Sequence, residues 1–391
     1  MSQILFEKVY SKKGFGPGEQ EWGYVDVRPG AHMFCWLYYT TNTAVSNYYD
    51  KPLLIWIQGG PGSSSTGFGN FGELGPLDEH LNTRNYTWVK DYNVLFIDNP
   101  VGTGFSYVDD FSILTTNNSQ IARDLMELIR AFYQKIPEFK TIPTYIVSES
   151  YGGKMTAEWA LEWYKGIVDT TGREAIEASA KQIGDAIKAG LWQEAFNSWD
   201  NITSVITSAT GGFDWFNVLT KVEFKNDSRT QFADFNVKSS DKRSRRSTDD
   251  DPVLEKLMNG QVRESLNITA EWGAQSNETY DTLGSDFMKP VIDVVEHLLD
   301  ETDLKIFIYS GQLDMIVDTP GTLRWVERMR WKHAKQWHSS ERVPLVVNDI
   351  IEGYVKRYDN LGFYWVDRAG HMVPADNPAA MAKILEHLVQ Y

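Results

Sequence analysis

The segment Tyr145–Gly153, YIVSESYGG, carries residue types that indicate a nucleophile. A short apolar strand runs into small residues and then into a helical pattern. In such a strand–turn–helix context the hydroxyl of Ser150 would be exposed on a tight, strained turn. The strict G-x-S-x-G pattern has glycine where this chain has Ser148. A serine before a helix can also be an ordinary N-terminal cap, and this motif alone leaves that alternative open.

A serine nucleophile needs a general base and a carboxylate that orients the base. Of the seven histidines, His371 lies in AGHMVP directly after the apolar run FYWVD, whereas the others lie in charged or helical surroundings. Asp314 follows the run KIFIYS, and Asp318, a little further on, is a competing acid. Ligands of open α/β sheets bind just past the carboxyl ends of strands, which favours Asp314. The chain order Ser, Asp, His is typical of α/β hydrolases.

Donors for a developing oxyanion are expected at the glycine run of WIQGGPGSSS, which follows another apolar strand. Glycines leave backbone N–H groups open to a ligand, and a tetrahedral intermediate needs such preorganised donors. We predict the amides of Gly60 and Tyr151, the residue after Ser150, for this role. A phosphate-binding loop is disfavoured, because no Lys-Ser/Thr pair follows the glycines.

The elements that must position these residues alternate between strand and helix. Apolar runs predict strands at 33–40, 53–58, 94–98, 145–148, 304–310 and 363–367, and helical periodicity predicts helices at 121–135 and 379–391. This alternation predicts an α/β-hydrolase fold with a mostly parallel sheet and helices on both faces. We expect a core formed by 1–165 and 286–391, interrupted by a helical, loop-rich cap at 166–285. The basic run at 242–246 indicates an exposed loop, a processing site, or both.

Composition narrows the classes of function. The 391 residues carry 38 Lys+Arg against 53 Asp+Glu, a formal charge of −15, which disfavours a nucleic-acid partner. One cysteine, Cys35, excludes an internal disulfide and a cysteine-based zinc site. No apolar stretch reaches the length of about 18 residues that a membrane span requires. We predict neither a metal nor a cofactor.

Six motifs occur together and in order: QGGPGSSS, FGELGP, DNPVGTGFSY, SESYGG, YSGQLD and AGHMVP. In this combination the chain closely resembles the serine carboxypeptidases, from about Trp22 to Thr156 and from about Phe287 to the C-terminus. The resemblance implies a triad of Ser150, Asp314 and His371 and oxyanion donors at Gly60 and Tyr151.

The resemblance also implies recognition of the substrate's terminal carboxylate by Gln58, Gly59, Glu73 and Glu149. Two glutamates beside a carboxylate would place three negative charges together. At least one acid must then hold a proton, because like charges at close range raise a pKa. We therefore expect hydrolysis of C-terminal residues from peptides through an acyl-enzyme, favoured at acidic pH. The alternatives are a catalytically silent binding or chaperone protein and an acyltransferase that uses the same triad.

The chain departs from the family pattern after the predicted nucleophile helix. The family continues there into a core strand, whereas this chain passes from Trp163 directly to cap-like helices, and roughly 45–50 residues are expected to be missing. Loss of an interior strand would leave ladder groups unpaired and would endanger folding. Ser63 also stands where the family often has cysteine.

The compartment is indicated by conflicting signals. The first residues lack the apolar run of a signal peptide, which leaves a cytoplasmic form open. The family resemblance implies a secreted or lysosomal protein. Six Asn-x-Ser/Thr sequons agree with that and are candidate glycosylation sites: Asn85, Asn117, Asn201, Asn226, Asn267 and Asn277. A peptide substrate is the expected partner, and a homodimer is one option for assembly.

Overall fold

The structure, a computed structural model, describes residues 14–164, 189–197, 216 and 252–390. The strands are β1 Gln20–Arg28, β2 Ala31–Tyr38, β3 Leu53–Ile57, β4 Asn93–Ile97, β5 Tyr107–Val108, β6 Thr144–Ser148, β7 Ile306–Gly311, β8 Arg342–Val347, β9 Ile350–Tyr358 and β10 Leu361–Val366.

The α-helices are α1 Asn118–Lys135, α2 Tyr151–Tyr164, α3 Pro252–Leu257, α4 Arg263–Ser265, α5 Asn277–Thr282, α6 Gly284–Phe287, α7 Ile292–Glu301, α8 Thr319–Arg328, α9 Ala334–Ser339, α10 Val373–Asp376 and α11 Pro378–Val389. Shorter or wider turns occur as 3-10 helices at Tyr48–Asp50, Trp88–Lys90, Phe111–Ile113 and Pro137–Thr141 and as π-helices at Ser65–Leu74 and Met258–Val262. None of the described helices is long and apolar enough to cross a membrane.

The strands form two sheets. The first has the order β1-β2-β4-β3-β6, with β5 against β2, and the second has the order β7-β10-β9-β8. The strands β4, β3 and β6 are parallel to one another, and so are β7 and β10, whereas β1, β2, β5, β8 and β9 pair antiparallel with their neighbours. The mostly parallel sheet predicted from the sequence is therefore mixed. Its parallel part is the part that leads to the predicted site.

The central strands explain why apolar runs predict them well. Every residue of β3 and β4 is buried. Leu54 and Trp56 of β3 pack into one core cluster, and Leu53 and Ile55 pack into another on the opposite face. A strand covered on both faces needs apolar side chains at consecutive positions, because successive side chains point to opposite sides.

Helix α1 covers one of these faces. Asn117 caps it by accepting a hydrogen bond from the Gln120 amide, and the apolar positions Ile121, Leu125 and Leu128 are buried. Pro137 follows the last turn. Spacing of three to four residues places these side chains in one stripe, which is why the helix is readable from the sequence.

Among the described residues, no strand pairing joins β6 to β7, which face each other across the middle of the molecule. Four of the five residues of β6, all except Val147, and the first four residues of β7 are partly buried, whereas all of β10 is buried. The segment where the sequence predicts a missing core strand begins after α2, and 165–188 lie outside the described residues. The described sheets are thus two, with side-chain packing between them.

The predicted cap, 166–285, is described at 189–197, at 216 and in its last part, 252–285. Leu254, Met258 and Trp272 of that part pack into the same core cluster as Trp22 and Phe71. The predicted basic run at 242–246 lies outside the described residues. The end of the predicted cap is therefore integrated into the core by apolar burial.

Candidate active site

Ser150 lies between β6 and α2 with φ of 57°, a left-handed value that is rare for a residue with a side chain. The turn is closed by the Gly152 amide, which donates to the Glu149 carbonyl at 2.8 Å, and it leaves Ser150 exposed. A Cβ on Gly152 would lie 2.6 Å from the Ile57 carbonyl oxygen. Only glycine allows α2 to start this close to the end of β3, which is what fixes the strained turn in place.

Asp314 and His371 are brought together from the ends of β7 and β10. The Asp314 Oδ2 lies 2.7 Å from Nδ1 of His371, and each side chain is about 6% exposed. The other carboxylate oxygen of Asp314 accepts hydrogen bonds from the amides of Ile316 and Val317. These bonds fix the orientation of the carboxylate toward the imidazole.

Asp318, the competing acid, has a different environment. It is exposed, and its side chain caps α8 by accepting from the Gly321 amide at 2.8 Å. The structure therefore places Asp314, not Asp318, against His371.

The loop that carries His371 is held by two contacts that the sequence does not reveal. The His371 amide donates to the Phe216 carbonyl at 2.6 Å, and the Phe216 ring lies edge-on to the imidazole with centroids 5.3 Å apart. The Gly370 amide donates to Asp376 Oδ2 at 2.7 Å. Phe216 belongs to the predicted cap, so the cap reaches the imidazole.

In the described part of the chain, the Ser150 hydroxyl makes no hydrogen bond with His371. A contact between nucleophile and base is often long without substrate and shortens in the reacting complex. The relative placement of β6 and the second sheet therefore controls whether Ser150 and His371 can meet.

The glycine run after β3 lies directly against the Ser150 turn. A Cβ on Gly59 would lie 2.6 Å from the Ser150 Cβ and 3.1 Å from the Tyr151 amide nitrogen. Gly60 has φ of 102°, and Tyr151 is the first residue of α2. Amides of the first turn of a helix have no partner within the helix, so the Tyr151 amide is open to a ligand beside this loop.

The buried carboxylate of Asp98 holds the loop after β3 in place by hydrogen bonds. Asp98 accepts hydrogen bonds from the Ser64 hydroxyl, from the Thr66 amide and hydroxyl, and from the Phe105 amide, at 2.7 to 3.0 Å. Burial raises the pKa of Asp98, and the four donors act against that rise. Asp98 thereby joins the loop after β3 to the loop after β4, a role that the motif DNPVGTGFSY did not disclose.

Gln58, Glu73 and Glu149 form one buried cluster. The Gln58 side-chain amide donates to one carboxyl oxygen of each glutamate at 3.1 Å, and the Gln58 carbonyl oxygen accepts from Trp56 Nε1 at 2.7 Å. Each residue of the cluster is 5–6% exposed. The second carboxyl oxygens, Glu73 Oε2 and Glu149 Oε2, have no partner within the part of the chain that the structure describes.

Burial raises the pKa of both glutamates. For Glu149 the negative charge of Glu73 adds to the effect of burial, and Asp314 and Asp376 contribute further. For Glu73, the neighbouring side chains of Glu149 and Gln58 oppose the effect of burial. Because the two glutamates lie side by side, they titrate as a pair, and the proton that is kept belongs to the pair rather than to either residue.

The side chain of Tyr151 is held by a polar network that sequence reasoning missed. Asn118 Nδ2 donates to the Tyr151 hydroxyl at 2.9 Å and also contacts the Asp286 carboxylate. Lys154 lies 3.3 Å from Asp286 Oδ2, and the Phe287 ring stacks on Tyr151. Asn118 and Asp286 are far apart in the sequence, so no local pattern could have paired them.

The described sequons differ in accessibility. Asn85, Asn267 and Asn277 are exposed, whereas Asn117 is partly exposed and caps α1. Asn201 and Asn226 lie outside the described residues. Among the residues that are described, no group of three or more His, Cys, Asp or Glu side chains could hold a metal ion.

Comparison with known proteins identifies the family. The family model for serine carboxypeptidases matches residues 12–187 and 155–391. This chain belongs to the serine carboxypeptidase family. It is 38% identical to a retinoid-inducible serine carboxypeptidase of Rattus norvegicus, over 95% of this chain and 92% of the relative. It is 31% identical to serine carboxypeptidase-like 51 of Arabidopsis thaliana, over 98% and 95%.

The fold agrees with this assignment. A prohormone-processing carboxypeptidase from Saccharomyces cerevisiae superposes with a TM-score of 0.76 over 95% of this chain and 91% of that one, at 20% identity. The α/β-hydrolase fold predicted from the sequence is confirmed.

The comparison with the rat relative also shows how the two chains differ in length. The alignment spans 418 residues and uses 95% of this chain. Since 95% of 391 residues is about 371, about 47 aligned positions have no residue here. The two pieces matched by the family model overlap at 155–187, within and after α2. The loss of a core segment after α2 stays a prediction from the sequence.

Proposed function

We propose that this carboxypeptidase removes C-terminal residues from peptides through an acyl-enzyme, with Ser150 as nucleophile, His371 as general base and Asp314 as the orienting acid. The observation that carries the proposal is the buried Gln58–Glu73–Glu149 cluster directly beside Ser150. Its two unpartnered carboxyl oxygens are suited to a substrate carboxylate, provided that a proton is shared among the acids. Such a site selects the free end of a peptide.

The chemistry follows from the positions of the groups. The Ser150 Oγ attacks the carbonyl carbon of the last peptide bond while Nε2 of His371 takes its proton. The oxyanion that forms accepts hydrogen bonds from the Gly60 and Tyr151 amides. Cleavage of the C–N bond transfers the proton from His371 to the amine of the released residue.

The second half of the reaction regenerates the enzyme. Water attacks the acyl carbon and gives its proton to His371, which returns a proton to Ser150 Oγ as the ester bond breaks. The shortened peptide leaves with a new C-terminal carboxylate. Asp314 stays ionised and holds the imidazole through Nδ1 in both steps.

Acidic conditions should favour this reaction, because the cluster must keep a proton to hold a substrate carboxylate. The raised pKa values of Glu73 and Glu149 support that expectation. Peptide affinity should be highest while the pair is protonated and should fall as the proton leaves.

Labelling with a fluorophosphonate tests the nucleophile. Folded wild-type protein should label, and Ser150→Ala should not. Equal labelling of both proteins would refute the assignment of Ser150. A catalytically silent binding protein would leave the wild type unlabelled.

Paired peptides test the exopeptidase assignment. A peptide with a free C-terminus should be shortened, and the same peptide with an amidated C-terminus should resist. Cleavage of both at equal rates would refute a role for the carboxylate cluster. Transfer of the acyl group to an added alcohol in preference to water would indicate the acyltransferase.

The same reasoning extends to location. We propose a secretory or lysosomal route with glycans at the exposed sequons Asn85, Asn267 and Asn277. Secreted protein should lose mass on treatment with an endoglycosidase, and the triple Asn→Gln variant should lose most of that change. A protein of unmodified mass, retained in the cytoplasm, would contradict the proposal.

A further inference from the structure

The triad proposed above is split between the two sheets. Ser150 follows β6 of the first sheet, whereas Asp314 and His371 follow β7 and β10 of the second. Where neighbouring strands pair, a ladder of backbone hydrogen bonds fixes their separation. Between β6 and β7 no such pairing occurs in the described part of the chain, so any side-chain contact between these two strands bears on the distance from nucleophile to base.

The Ser148 carbonyl at the end of β6 is a group that needs a hydrogen-bond donor from the side of β7. The Glu149 amide donates to the Ile57 carbonyl of β3. In a trans peptide unit the N–H and the preceding C=O point in opposite directions, so the Ser148 carbonyl is directed away from β3 and toward β7. A strand paired at this edge would supply an amide to that carbonyl.

Tyr309 of β7 supplies the donor instead. Its hydroxyl donates to the Ser148 carbonyl oxygen at 2.9 Å. Tyr309 is two residues before the end of β7, which leads into Asp314, and Ser148 is two residues before Ser150. We propose that Tyr309 is a positioning residue that ties the nucleophile turn to the acid-bearing strand.

The surroundings of the Tyr309 hydroxyl keep it protonated, so it can donate to the Ser148 carbonyl over a wide pH range. Burial and the nearby charges of Glu149 and Glu73 raise the pKa of Tyr309, so the phenol keeps its proton and stays a donor throughout the working range. Loss of the hydroxyl would leave the Ser148 carbonyl without this donor and would free β6 to move relative to β7.

Tyr309→Phe tests the link, and Tyr364→Phe is the matched control. Tyr364 is the direct neighbour of Tyr309 on β10, and its hydroxyl lies 3.3 Å from His387 Nδ1, away from the triad. Tyr309→Phe should react with fluorophosphonate at least about tenfold more slowly than the wild type. Its kcat should fall, whereas its KM should stay within about threefold of the wild-type value. Tyr364→Phe should label at the wild-type rate.

The inference rests on the proposed function, and its failure can be told apart from that of the function. A wild type that does not label refutes the function. A wild type that labels while Tyr309→Phe labels within twofold of it refutes the positioning role. An equal loss in both tyrosine variants also refutes it, because the effect would then be general destabilisation.

A second measurement decides the hydrogen bond even where Tyr309→Phe does not fold. 3-Fluorotyrosine at position 309 keeps the hydroxyl and reports it by ¹⁹F NMR. If the phenol donates to Ser148 in its buried site, the resonance should not titrate up to pH ~10. Titration below that pH would show a solvated phenol and would overturn the proposal.

Discussion

The replacement Glu149→Gln tests how protons govern substrate binding. In the wild type the buried pair of Glu73 and Glu149 must keep a proton in order to face a substrate carboxylate. Burial raises the pKa of Glu73 from 4.5 to about 7, and burial together with the charge of Glu73 raises the pKa of Glu149 well above its ordinary value. A glutamine at position 149 donates hydrogen bonds at every pH and adds no charge.

The size of the effect follows from the raised pKa of Glu73. One pH unit above its midpoint the protonated fraction is about one tenth, so the wild-type KM at pH 8 should be about tenfold above its acidic value, about 1.4 kcal/mol. In Glu149→Gln the second charge cannot form and a donor remains, so we expect a rise of about threefold or less. The KM curve should therefore move to higher pH while kcat keeps its profile.

The free energy of unfolding should also fall as the pH rises. Both folded-state pKa values lie above those of an unfolded chain. The contribution of the protonated pair is therefore complete below pH ~4.5 and is lost as the pH rises through about 7. The shift of Glu73 corresponds to about 3 kcal/mol at most. Glu149→Gln should keep more of its acidic stability at neutral pH.

Steady-state kinetics on one peptide from pH 4 to about 8.5, together with urea denaturation at each pH, measure both effects. Glu21→Gln is the control, since Glu21 is a partly buried glutamate bonded to the Tyr39 hydroxyl and remote from the cluster in the fold. It should reproduce the wild-type KM profile. An unchanged profile for Glu149→Gln would remove Glu149 from carboxylate binding and would refute the reasoning.

Three further predictions concern the groups around Ser150. Asp314→Asn should lower kcat by roughly 10³–10⁴-fold in steady-state kinetics. Asp318→Ala should keep kcat and lose about 1 kcal/mol of unfolding free energy in urea denaturation, because a helix cap is removed. If instead Asp318→Ala lowered kcat more than Asp314→Asn, Asp318 would be the catalytic acid. Asp98→Asn should lower the free energy of unfolding by about 3 kcal/mol, because four hydrogen-bond donors would lose the buried carboxylate that accepts from them. An unshifted urea midpoint would contradict this. Gly59→Ala should slow labelling of Ser150 by at least about tenfold, since its Cβ would lie 2.6 Å from the Ser150 Cβ, and wild-type labelling would disprove the contact.

The sequence was most informative where a property is local. Consecutive apolar residues predicted β3 and β4 within one residue of their ends, since strands buried on both faces require such runs. The sequence did not predict β1, or the hairpin of β8 and β9. Arg342, Val343 and Ile350 at the start of these strands are exposed, so neither strand begins with the alternation of a half-buried strand.

The roles of Ser150, Asp314 and His371 stay predictions, although the structure places Asp314 and His371 in contact. Their types and their order could be read from motifs because each follows a short apolar strand. Phe216 could not be found in this way. Its contact with His371 crosses 155 positions of sequence, and nothing local marks it.

The sequence by itself determined the family, the fold class and the strand–turn–helix unit around Ser150, because motif order and hydrophobic periodicity are properties of the linear sequence. The tertiary structure placed Asp314 rather than Asp318 against His371, and it brought Gln58, Glu73 and Glu149 into one buried cluster. It also joined β6 to β7 through Tyr309 and Ser148. The physical reason is that desolvation and hydrogen bonding act between groups close in space, and those distances are set by how the two sheets pack.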